Sequence, residues 1–79
     1  MKARVIVTLK GGVLDPQGKA IEGALKSLGF GGIASVRQGK VFDIEIDAND
    51  APAAREQLGE ACRKLLANLI VEDYAVELD

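Results

Sequence analysis

Residues 12–19, GVLDPQGK, place two glycines and a lysine ahead of a helical pattern, the ingredients of a phosphate-binding loop. Such a loop needs four residues between its glycines, then Lys and a Ser or Thr whose hydroxyl holds magnesium. Here five residues separate Gly12 from Gly18 and Ala20 follows Lys19, so the spacing is wrong and the hydroxyl is missing. Asp15 and Pro16 also read as the N-cap and first residue of a helix, which puts Gly18 and Lys19 inside it. Nucleophilic chemistry fares no better. Cys62 is the only cysteine and there is no histidine, so no CxxC pair exists and the commonest general base and metal ligand are absent. Cys62 also falls on an apolar helical stripe, where a buried thiol is inert. The carboxylate pairs Glu45 with Asp47 and Glu72 with Asp73 fall at solvent-facing strand and turn positions. Acid–base work would need a cleft to shift their pKa values. Arg37 and Lys40 flank a Gly39 turn and could hold an acidic partner or a phosphate, although from the residues alone a solvated hairpin tip is the favoured explanation.

These residues are carried by six elements. Lys2 to Lys10 alternates, with Ala3, Val5, Val7 and Leu9 on one face, as a strand covered on one side does. A helix from Pro16 to about Leu28 sets Ile21, Ala24, Leu25 and Leu28 toward a core and Lys19, Glu22 and Lys26 toward water, and Gly29 stops it. Phe30, in the glycine-rich turn that follows, is expected to close the end of that core. Ile33 to Gln38 reads as a second strand and Val41 to Asp47 as a third. The Gln38, Gly39, Lys40 turn between them makes a hairpin. Asn49 and Asp50 offer caps ahead of Pro52 for a second helix reaching about Ala67, with Ala54, Leu58, Ala61, Cys62, Leu65 and Leu66 as its stripe and Glu60 and Lys64 four apart in the favourable order. Ile70 to Leu78 is the last strand. The order βαββαβ predicts one ferredoxin-like α+β domain spanning residues 1–79, a four-stranded antiparallel sheet with two helices on one face. Its other face would carry Asp43, Glu45, Asp47, Asp73 and Glu77 around Ile6, Thr8, Val41 and Ala75.

At 79 residues the domain is near the size at which one core gives little net stability and association helps. The net charge of −2, with both signs mixed along the chain, disfavours nucleic acid. No apolar run approaches a membrane span and the N-terminus alternates, so a cytoplasmic protein without a membrane partner is expected.

Three blocks, VLDPQGKAIEGALKSLGF, VRQGKVFDIEI and CRKLLANLIVEDYAVEL, together resemble the small PurS-type subunit of phosphoribosylformylglycinamidine synthase over nearly the whole chain. The resemblance implies a ferredoxin-like, non-catalytic subunit of purine biosynthesis. It would form a homodimer or higher homo-oligomer and join a large synthetase subunit to a glutaminase, supporting ammonia transfer. ATP, magnesium and glutamine would be used on the other subunits, with no cofactor bound by this chain. The family motifs carry over at Asp15, Pro16, Gln17 and Gly18, at Arg37, Gly39 and Lys40, and at Asn68, Glu72 and Tyr74, which become candidate subunit contacts. Leu69 stands where the family usually has proline. Fold analogy alone suggests a second reading, a regulatory module that binds a small molecule.

Overall fold

A computed structural model describes all residues, 1–79. It contains strand β1 (Lys2–Leu9), helix α1 (Pro16–Ser27), strand β2 (Gly39–Glu45), helix α2 (Ala51–Ala61) continuing as a π-helical turn (Cys62–Leu66), and strand β3 (Glu72–Leu78). The sheet has three strands in the order β2-β1-β3, all antiparallel. Val5 lies opposite Phe42 on one side and Val76 on the other, so the alternation read from the sequence sets one apolar face.

The four-stranded ferredoxin-like sheet is therefore a misreading, and it fails at one place. No turn or bend occurs between Ile33 and Glu45. The expected second and third strands form one continuous run, and only its second half pairs in the sheet. A tight reversal at residues 38–40 would need a left-handed residue, yet the sole positive φ in the chain is at Gly29, which ends α1. Gly39 serves a different purpose: a Cβ there would stand 2.6 Å from the Val7 carbonyl oxygen of β1. Its missing side chain permits close strand approach.

The second departure concerns α1. Its caps are as expected, with Asp15 accepting from the Gly18 N–H at 2.9 Å and Pro16 at the first helical position. However, α1 makes no extensive contact with any strand or with α2, and no α1 residue belongs to the core. Its buried side is Gly18 and Glu22, whereas Ile21 and Leu28 on the predicted stripe are exposed. Phe30, expected to seal the core, is likewise exposed. The two helices thus do not share one face of the sheet.

The core proper is small: Ala3, Val5 and Val7 of β1 against Leu58, Cys62 and Ala67, with Phe42, Ile44, Ile46, Tyr74, Val76 and Leu78 half-buried around it. Asp50 caps α2 through the Ala53 N–H at 2.8 Å, and the Glu60–Lys64 pair forms at 2.7 Å. The π turn corrects one more expectation. The Ala67 N–H donates to the Cys62 carbonyl five residues back. The wider turn advances the inward phase, so Leu66 and Ala67 face the core and Leu65 is left 84% exposed.

Between the π turn and β3, the Val71 N–H donates to the Asn68 carbonyl at 3.1 Å, and the Asn68 side chain accepts from the Ile70 N–H at 3.1 Å. Leu69 is thus the second residue of a β-turn, a position that proline suits, and its N–H makes no hydrogen bond. Leu69→Pro should raise stability by about 0.4–1 kcal/mol by restricting the unfolded chain, read as a higher denaturant midpoint at unchanged slope.

Candidate functional site

Three carboxylates and one guanidinium shape the end of the sheet where β1 leaves for α1. Asp15 caps α1 with one oxygen and with the other accepts the Gln38 N–H at 2.7 Å, 23 residues away. Two helical turns on, Glu22 accepts the Val36 N–H at 3.0 Å and lies 3.6 Å from the Lys19 ammonium. Between these fastenings Arg37 donates back to the Lys10 carbonyl at 2.9 Å. Gly18 sits where the run crosses α1. A Cβ there would strike the Val36 carbonyl oxygen and approach the Asp15 carboxylate to 2.7 Å. The glycine of the Asp-Pro-Gln-Gly motif is required because backbone lies directly against it.

On the other side of β1, Glu72 accepts the Asn68 N–H at 2.7 Å and faces Lys40 at 3.5 Å. The two groups meet. Asp15, Gln17, Gly39, Lys40 and Glu72 all border one concavity of about 190 Å³. Five residues from three separate blocks are thereby brought together, whereas Pro16, Gly18, Arg37 and Asn68 lie beside them without bordering the concavity. Tyr74 is apart: its hydroxyl accepts from Arg63 at 3.3 Å against α2. The Gln17 side chain makes no hydrogen bond within the chain. A wider hollow of about 530 Å³ lies at the opposite end of the sheet, bordered by Arg4, Asp43 and Glu45, and involves none of the motif residues.

Sequence reasoning missed Glu22 and Gln38. Asp15, Gly18 and Glu22 are spaced three and four apart, a face that pattern alone assigns to solvent. Only the returning chain makes it an interior one.

The electrostatics describe acceptors and not acids. The backbone N–H of Gln38, then that of Gly18, holds the Asp15 carboxyl below its ordinary range. The Val36 N–H does the same for Glu22 and the Asn68 N–H for Glu72. Burial pushes the Cys62 thiol up, away from the reactive thiolate. No group of three or more Cys, Asp or Glu side chains could hold a metal ion. The arrangement can fix geometry and present polar groups to another molecule.

Because all three carboxyls have depressed pKa values in the folded state, the unfolded chain binds more protons below about pH 4.5, the ordinary carboxylate range. Their contribution is complete above that pH and is lost as pH falls through the folded values. Thermal midpoints should therefore be flat near neutrality and drop below about pH 4.5. Glu22→Gln, which keeps an acceptor for the Val36 N–H, should reduce the steepness of that drop.

Residues 2–79 match the family described as PurS, phosphoribosylformylglycinamidine (FGAM) synthase. A PurS subunit of that enzyme from Mycobacterium leprae is 45% identical over 75 residues, covering 95% of this chain and 91% of the relative. The crystal structure of Methanocaldococcus jannaschii PurS, a subunit of formylglycinamide ribonucleotide amidotransferase in the purine biosynthetic pathway, superimposes with a TM-score of 0.89. It is 41% identical and covers 99% of this chain and 94% of that one. A chain in the structure of PurLQS from Thermotoga maritima also gives 0.89, at 33% identity, over 96% and 93% of the two chains. With matching sequence, length and fold, this chain belongs to the PurS family, the PurS subunit of phosphoribosylformylglycinamidine synthase in purine biosynthesis.

Proposed function

We propose that the chain is a non-catalytic structural subunit that works as a homodimer or higher homo-oligomer. In that role it joins the ATP-dependent synthetase subunit of the enzyme to the glutaminase subunit and supports ammonia transfer between them, in the cytoplasm. The observation that carries this reading is the likeness, over almost the full length of both chains, to a component of the Thermotoga maritima PurLQS structure. The site chemistry supports it: carboxylates occupied by backbone N–H groups, a buried unreactive thiol, and motif side chains gathered at one end of the sheet. ATP, magnesium and glutamine are assigned to the other subunits, as the family resemblance implies.

Within the site, Gln17 is the residue we assign to a subunit contact. It borders the concavity, no capping rule requires it, and its amide is unpaired in the chain. Arg37, Lys40 and Glu72 contribute by holding the concavity in shape.

Reconstitution with the synthetase and glutaminase subunits tests the role. Omitting this chain should abolish glutamine-dependent synthesis while ammonia-dependent synthesis continues. Glutamine-dependent activity undiminished in its absence would refute the joining function. Gln17→Ala should leave the unfolding midpoint unchanged and weaken complex formation on the order of three- to ten-fold, the range for one lost hydrogen bond.

A further inference from the structure

Alternation sends Ala3, Val5 and Val7 of β1 into the core and leaves Lys2, Arg4, Ile6 and Thr8 on the opposite face of the sheet. Strand register then builds cross-strand rows on that outer face. Arg4 lies between Asp43 of β2 and Glu77 of β3, and Ile6 lies between Val41 and Ala75. At the end of the sheet Lys2 lies between Glu45 and Asp79, whose N–H donates to the Lys2 carbonyl. Helix α2 packs on the other face and α1 makes no extensive contact with any strand, so neither helix covers these rows.

The charges in the rows do not balance. The hollow of about 530 Å³ is bordered by the carboxylates Asp43, Glu45, Glu77 and Asp79 and by the two cations Lys2 and Arg4. Only Asp43 is paired, at 3.0 Å from Arg4, and neither Lys2 nor the other three carboxylates form an ion pair. The Arg4 guanidinium is held more firmly protonated by its hydrogen bond to Asp43, with Glu77 and Asp79 adding to the effect. Because β2 and β3 flank β1, the two acidic columns stand about 10 Å apart, with successive carboxylates about 7 Å apart along each strand. The next row along, Val41, Ile6 and Ala75, is wholly apolar, and Val41 is 57% exposed. A polar, charged rim beside an apolar patch is the anatomy of a protein-binding surface.

We propose that this outer sheet face seats a basic surface of a sister subunit, whose lysine or arginine side chains enter the hollow to meet Glu45, Glu77 and Asp79 while an apolar side chain beside them covers Ile6, Val41 and Ala75. Charge selects the occupant. A second copy would bring like-charged faces together, and the phosphates of nucleic acid or acidic lipid would be repelled. Position agrees with a joining role, since the Gln17 concavity lies at the other end of the sheet, about 24 Å away along β1. A chain that joins two subunits needs two separated contact surfaces. The proposal rests on the joining role above and names the surface and the partner chemistry it uses.

The test titrates the full-length chain into the synthetase and glutaminase subunits, separately and together, at about 0.05 M and about 0.5 M salt, between which the screening length falls roughly three-fold. The variant is E45Q/E77Q. Both side chains are exposed and form no ion pair, so its unfolding midpoint should match that of the wild type. E56Q/E60Q, which removes the same charge from exposed positions of α2, is the control. E45Q/E77Q should bind one of the subunits roughly three- to ten-fold more weakly at low salt, with the difference closing at high salt and the control unchanged. Equal weakening by both variants would trace the effect to net charge and overturn the proposal. Affinity and salt dependence unchanged from the wild type would overturn it as well, while leaving the joining role intact. So would wild-type binding that does not weaken with salt, a result that needs no substitution. A variant that alters only the homo-oligomer mass in light scattering would put a second copy on this face instead. If the wild type binds neither subunit, the joining role fails and this surface with it.

Discussion

The Asp15 carboxylate accepts two backbone N–H groups at once, one from its own helix and one from Gln38, and the shape of the protein follows from that double acceptance. A cap alone would order the first turn of α1 and leave its direction free. By also holding Gln38, with Glu22 holding Val36 two turns further on, the helix is bound side by side to a run that passes without turn or bend into β2. Arg37 closes the arrangement by bridging to the end of β1. The depressed pKa values of Asp15 and Glu22 express the same fact, since an ionised carboxylate facing backbone N–H groups is the stable form.

Keeping the run straight has a consequence for stability. Helix α1 and residues 33–38 stand apart from the core, which is left with one row of small side chains, Ala3, Val5 and Val7, beneath α2. Few large side chains are fully buried, and the apolar groups on α1 and β2 remain at the surface. A chain of this size with so little buried has strong reason to associate. Exposed apolar groups on a chain of this size are physically consistent with membership in a multi-subunit enzyme.

The motif residues also acquire distinct meanings. Gly18 and Gly39 are both places where backbone approaches too closely for a Cβ, one beneath the returning run and one beside β1. Glu72 holds the turn into β3 by accepting the Asn68 N–H and reaches Lys40 across the concavity. Most of these side chains are engaged within the chain, which leaves Gln17 as the one with an unused polar group. The departure at Leu69 is mild, for its turn position uses no N–H.

By itself the sequence determined several local signals: the alternation of β1, β2 and β3, the caps at Asp15 and Asp50, and the stop at Gly29. Each depends on neighbours within a few residues, so periodicity and capping chemistry suffice. Family membership was also legible, because three blocks match in order. Where local signals were ambiguous, only the tertiary structure decided. The sequence Gln38-Gly39-Lys40 suits a turn or a close strand approach equally, and the choice was made by Asp15, 23 residues away, and by the Val7 carbonyl opposite. The apolar stripe of α1 says that a partner exists and nothing about where it is. The phase of the second helix was altered by a single wide turn that periodicity cannot show. Long-range hydrogen bonds chose among locally equal options, and they converted an expected four-stranded sheet into a three-stranded one.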